Sequence, residues 1–110
     1  MPEWARFQTW TANQLRKVGL KTKVNAQAGG GLGVPDVSAD PFAVECKSYK
    51  TLSSDTIIKA VRQAQLDNVK CDKYPIAICR DEKGNIIVSL DFKDFKNLVQ
   101  EFITDPVSKD

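Results

Sequence analysis

Histidine is absent from the 110-residue chain. That excludes Ser-His and Cys-His nucleophilic catalysis and every metal site ligated through imidazole. Cysteine is scarce. Cys46, Cys71 and Cys79 are odd in number and show no CxxC spacing, which argues against a disulfide framework and a zinc site. Cys46 and Cys79 sit in apolar runs and read as small buried residues. No stretch approaches the roughly 20 apolar residues of a membrane span. The start, Met1-Pro2-Glu3-Trp4, lacks the basic-then-apolar pattern of a secretory signal. A cytoplasmic protein without membrane association is expected, in the host cytoplasm if phage-encoded. The net charge of +2 is too small to identify a nucleic-acid partner by itself. Carboxylates and lysines remain as the main chemical groups.

What is present is an ordinary globular composition, 42% hydrophobic and 27% charged, of a length suited to one domain over residues 1–110, with 105–110 as a flexible tail. The charge is uneven. Residues 1–30 carry Arg6, Arg16, Lys17, Lys21 and Lys23 against Glu3 alone, whereas residues 91–110 carry three basic and five acidic side chains. Such asymmetry fits a phosphate-facing surface and equally a solvated basic helix.

Trp4, Phe7, Leu15 and Val18, with Thr11 and Ala12 between them, repeat at helical steps and predict an amphipathic helix over residues 3–18, stopped by Gly19. Alternation from Leu20 to Ala26 predicts a half-exposed strand. Four glycines within Gly29–Gly33 predict a flexible loop. Val34–Ser38 and Phe42–Ser48 read as strands joined at Asp40-Pro41. A helix follows from Ser53 or Ser54 to about Val69, with Ile57, Ile58, Val61, Ala64, Gln65 and Leu66 as its apolar stripe. Tyr74–Cys79 reads as a buried strand, Lys83-Gly84-Asn85 as a turn, and Ile86–Leu90 as the last strand. Asp91 caps a final helix that presents Phe92, Phe95, Leu98, Val99 and Phe102 on one face. The order α-β-β-β-α-β-β-α predicts an α/β fold with a mixed five-stranded sheet flanked by helices.

Pro35-Asp36 precedes Glu45-Cys46-Lys47 by nine residues. Strand alternation puts Glu45 and Lys47 on one face. Two carboxylates and an ammonium converging at a strand edge suit metal-assisted phosphodiester hydrolysis. Taken singly, Asp36 reads as a turn aspartate, and Glu45 and Lys47 as charges on an exposed strand face. The glycine run is not followed by Gly-Lys-Ser/Thr, so no nucleotide cofactor is expected.

Pro35-Asp36, the glycine run and Val44-Glu45-Cys46-Lys47, with the element order around them, resemble the PD-(D/E)xK nuclease superfamily. Within it the similarity is greatest to small archaeal and phage-type Holliday-junction resolvases. The resemblance spans roughly residues 6–100 and implies a restriction-endonuclease-like core. It further implies that Asp36, Glu45 and the Cys46 backbone carbonyl ligate Mg²⁺, for which Mn²⁺ can substitute. Lys47 would position the attacking water and neutralise phosphate charge, and Gln63, with Gln65 as its rival, would assist from the following helix. Lys21, Lys23, Asn25, Gly30, Gly31 and Lys50 would meet DNA, and the active form would be a homodimer, with Trp4, Phe7 or Trp10 available for its interface. One departure stands out: where such resolvases carry a first-helix glutamate, this chain has Gln8, which puts a second metal in doubt. A nuclease acting on flaps, nicks or single strands, and a catalytically silent DNA-binding module on the same scaffold, are the alternatives.

Overall fold

The protein's structure is a computed structural model that describes residues 2–25 and 33–103. Helix α1 spans Glu3–Lys17 and turns Phe7, Gln8, Thr11 and Ala12 inward. Its end is fixed by Gly19, whose φ of +100° only glycine adopts without strain. The Leu20 amide donates to the Leu15 carbonyl at 3.1 Å and the Gly19 amide to Arg16 at 2.9 Å, the paired bonds of a Schellman stop.

Strands β1 (Thr22–Val24), β2 (Val37–Ala39) and β3 (Phe42–Ser48) follow, then helix α2 (Ser54–Asp67), strands β4 (Tyr74–Arg80) and β5 (Ile86–Ser89), and helix α3 (Phe92–Ile103). The strands lie side by side in chain order. The first three form an antiparallel meander, β4 runs parallel to β3 after the α2 crossover, and β5 returns antiparallel. This is the predicted mixed five-stranded sheet, with shorter outer strands than the alternation suggested. The ends of β3 are as expected, because a run that is buried along most of its length leaves little ambiguity. Pro75 pairs only on the β3 side, since β5 ends at Ser89, opposite Ala77, so its missing donor leaves the ladder intact.

The faces of the sheet divide the work. Phe7 and Ala12 of α1 cluster with Val37, Ala39, Val44, Cys46, Ile76 and Ile78. Ala60 and Val61 of α2 cluster with Ala77 and Cys79 on the other side. Strand alternation therefore puts Glu45 and Lys47 beneath α2. Ser53 starts that helix with a capping box, its hydroxyl accepting from the Thr56 amide at 3.2 Å while its own amide donates to Thr56 Oγ1 at 3.0 Å.

Three packing expectations need correction. The buried stripe of α2 is Ala60, Val61, Ala64 and Asp67, while Ile58 and Leu66 face solvent. Two alanines beside Val61 make the contact with small side chains, and the larger Ile58 and Leu66 stay outside. Phe7 is a core residue and unavailable for an interface, whereas Trp4 and Trp10 are exposed. On α3 no residue is fully buried, and Phe92 and Phe102 are 71% and 81% exposed. Beside the partly buried Leu98 and Val99, polar ties hold it: Tyr74 of β4 donates to Glu101 at 2.6 Å, and from α2 Gln65 donates to Asp94 at 3.3 Å and Arg62 to Asp91, just before α3, at 2.8 Å. No helix among the described residues is long and apolar enough to cross a membrane.

Candidate active site

Register brings the acids together. Val37 pairs with Val44, so the antiparallel ladder carries Asp36 opposite Glu45. Asp36 Oδ2 accepts the Cys46 amide at 2.9 Å, a bond that locks its carboxylate against β3. Asn25 braces the same segment from behind. Its amide donates to the Asp36 carbonyl at 3.0 Å, and Nδ2 donates to the Pro35 carbonyl at 2.8 Å and Ser38 Oγ at 3.0 Å. The side chain expected to meet DNA thus positions the Pro-Asp corner.

Glu45 is only 4% exposed. Its Oε2 lies 3.3 Å from Lys47 Nζ, while Oε1 is buried with no hydrogen-bond partner. A third acid completes the cluster. Asp67, on the last turn of α2, is 5% exposed and meets the Glu45 carboxyl at close range. Gln63 Nε2 donates to Asp67 Oδ1 at 3.1 Å, one helical turn apart. Gln63 therefore reaches the site through Asp67, and its rival Gln65 is turned away toward α3.

Burial and crowding set the electrostatics. Desolvation, and then the Asp36 charge, push the Glu45 carboxyl up to about 8. Desolvation likewise raises Asp36, against the pull of the Cys46 amide and Lys47. Burial alone would lower the Lys47 ammonium, but the Glu45 charge and hydrogen bond outweigh it and hold the lysine protonated. Burial, with the charge of Asp36, drives the Cys46 thiol well above its ordinary value, so it is not a thiolate ligand. That thiol faces Thr11 on α1.

The buried Oε1, with no donor to satisfy it, fits a divalent cation. Without an ion, the protonated Glu45 carboxyl that burial favours donates to Asp67 instead. Oxygen ligands supplemented by water are what magnesium prefers. Among the described residues no three acidic or thiol side chains are placed to hold a metal.

Other predicted residues are dispersed. Gln8 is buried on α1, the helix over the Cys46 face, and makes no side-chain hydrogen bond among the described residues. Lys23 alternates with core-packed Val24 and shares the sheet face of Asp36, but Lys21 stands at the opposite end of the hairpin beside Asp40. Lys50 is exposed just beyond β3. It lines a 520 Å³ groove with Ser48, Tyr49 and Arg80. Gly30, Gly31 and the tail 105–110 lie outside the described residues.

Sequence reasoning missed Asp67 and Arg80. Asp67 falls at helical spacing from Ala60 and Ala64, a signal legible once those alanines are taken as the buried face. Arg80, opposite Ser48 at the end of β4, donates from Nε to Ser48 Oγ at 2.9 Å. Its guanidinium lies 4.4 Å from the Phe7 ring centroid and pairs with Glu3. It had been concealed at the end of an apolar run.

Five strands in chain order, between helices on both faces, define a resolvase-like α/β fold. Archaeoglobus fulgidus Hjc, a Holliday junction resolvase from an archaeal hyperthermophile, shares it with a TM-score of 0.58 and 21% identity, over 76% of this chain and 72% of that one. No family model and no curated protein matches the chain. At this identity the likeness shows the fold alone.

Proposed function

We propose that the protein is a metal-dependent DNA endonuclease of the PD-(D/E)xK type whose preferred substrate is a four-way junction. The observation that carries the reading is the buried, donorless Glu45 Oε1 beside Asp36 and Lys47. Chance surface charges would face water. The resolvase fold of the structural neighbour supports the substrate class, and the uneven charge supports DNA as partner.

Asp36, Glu45 and the Cys46 carbonyl would hold Mg²⁺ or Mn²⁺, which when bound would supply neutralising charge at the scissile phosphate and a more acidic water. Asp36 is kept in register by the Cys46 amide and the Asn25 brace. Lys47, protonated and partly exposed, aligns water and stabilises the charge that develops on the phosphoryl oxygens. Lys23 and Lys50 contribute phosphate contacts outside the reacting centre, which hold the strand without reading sequence. Paired incisions require two sites, so the active species is a homodimer. The phenylalanines of α3, which no other element covers among the described residues, supply its interface.

The test is cleavage of end-labelled four-way junctions and matched linear duplex, with Mg²⁺, Mn²⁺ or EDTA. The reading expects metal-dependent incision of the junction that survives excess linear competitor. Binding without incision in either metal would leave only a silent module. Incision of flaps, nicks or single strands in preference would transfer the reading to a general nuclease.

A further inference from the structure

We propose that the solvent line of α1 formed by Arg6, Trp10, Asn13 and Lys17 binds an unpaired stretch of DNA, with the Trp10 ring as the platform on which one base stacks. The proposal rests on DNA being the partner, as read above, and adds a site apart from the acids.

These residues follow one another at steps of four, three and four, so they fall along one side of the helix, and all four are exposed. From Arg6 to Lys17 the line runs about 16 Å, room for about five nucleotides. Neither Arg6 nor Lys17 pairs with an acid among the described residues. Glu3, the only acid on α1, is engaged by Arg80 instead. Asn13 Oδ1 accepts from Arg16 at 2.9 Å, which ties a third cation beside the line. Phosphates are the complement of such a surface.

A single exposed tryptophan would carry nothing, since such residues are ordinary on surfaces. Trp10 differs in being held flat within that basic line. Its ring lies 17° from parallel with the Phe7 ring, centroids 6.0 Å apart, while 44% of the residue stays in solvent. Phe7 in turn is buried and packed by the Arg80 guanidinium at 4.4 Å. A ring fixed from beneath loses little freedom when a base stacks on its exposed side. Paired bases keep their faces inside the duplex. The line therefore selects unpaired nucleotides, of the kind a branch point or flap presents, and stacking accepts them whatever their sequence.

The experiment is titration of the full chain in Ca²⁺ with a dT oligomer of about 12 nucleotides, matched duplex and a four-way junction. Trp4→Phe serves as the background for fluorescence, because it leaves Trp10 as the one tryptophan. The proposal expects the dT oligomer to quench Trp10. By anisotropy of labelled dT, Trp10→Ala should bind about 10-fold more weakly, and Trp10→Phe, which keeps a ring on Phe7, should recover most of the loss. Arg6→Gln should reduce the log–log salt slope of dT binding by about 0.7, a readout that a packing role would not move. If duplex and junction bind while dT neither quenches Trp10 nor responds to Trp10→Ala, the proposal is overturned and the DNA reading stands. If Trp10→Ala converts a dimer to a monomer in sedimentation velocity with dT affinity unchanged, a second copy covers this face and the proposal is again overturned. If no DNA binds in any form, both fall.

Discussion

Replacing Glu45 by glutamine should stabilise the metal-free protein at alkaline pH while removing its metal affinity. The carboxyl is raised from an ordinary 4.5 to about 8 by burial and by Asp36. A group raised in the folded state leaves stability intact below its unfolded value and erodes it as pH climbs through the folded one. Wild-type apoprotein should therefore lose stability between about pH 4.5 and 8, and Asp36, raised in the same direction, adds to the slope. Each tenfold change in proton affinity is worth about 1.4 kcal/mol, so the ceiling is several kcal/mol. Local relaxation brings the expected gain from Glu45→Gln to about 1–3 kcal/mol at pH 8.5. Losing the half-exposed Lys47 ion pair subtracts under about 1 kcal/mol from it. Thermal melts in EDTA at pH 5.5 and 8.5 read the effect, at roughly 4 °C or more per kcal/mol for a domain of this size. The variant should match wild type at pH 5.5 and exceed it at pH 8.5, and saturating Mg²⁺ should restore wild type but not the variant. An equal loss at both pH values would refute the reasoning, because it would make Glu45 an ordinary packing residue.

Further outcomes follow from the same geometry. Lys47→Met should lower cleavage at least about 100-fold while DNA affinity, measured by anisotropy in Ca²⁺, changes only a few-fold. Ser53→Ala removes half of the α2 capping box and should cost about 1 kcal/mol by urea denaturation. Phe92→Asp with Phe102→Asp should leave the far-ultraviolet circular dichroism unchanged and convert a dimer to a monomer in sedimentation velocity. A dimer that persists would remove α3 from the interface.

Much of the architecture was legible because local signals agreed. Glycine at position 19, the Asp40-Pro41 turn and the apolar runs of β3 and β4 each mark an element edge or a buried strand on their own. The meeting of Asp36 with Glu45 was readable too, since a two-residue turn between alternating strands fixes their register. Packing partners were harder. Helical periodicity on α2 admits two stripes, and only the sheet decides that Ala60, Val61, Ala64 and Asp67 form the buried one. Choosing the larger side chains hid Asp67. The phenylalanines of α3 mislead for a related reason: periodicity reports an apolar face without saying whether this chain covers it. Asn25, exposed by alternation, is drawn into the Pro35 corner by hydrogen bonds that no pattern of apolar residues encodes.

The most direct test of the central claim is an anomalous difference map from crystals grown with Mn²⁺. The account predicts a single strong peak between the Asp36 carboxylate and Glu45 Oε1, lost in Asp36→Ala crystals. A map without density there, or with its peak among other residues, would contradict it.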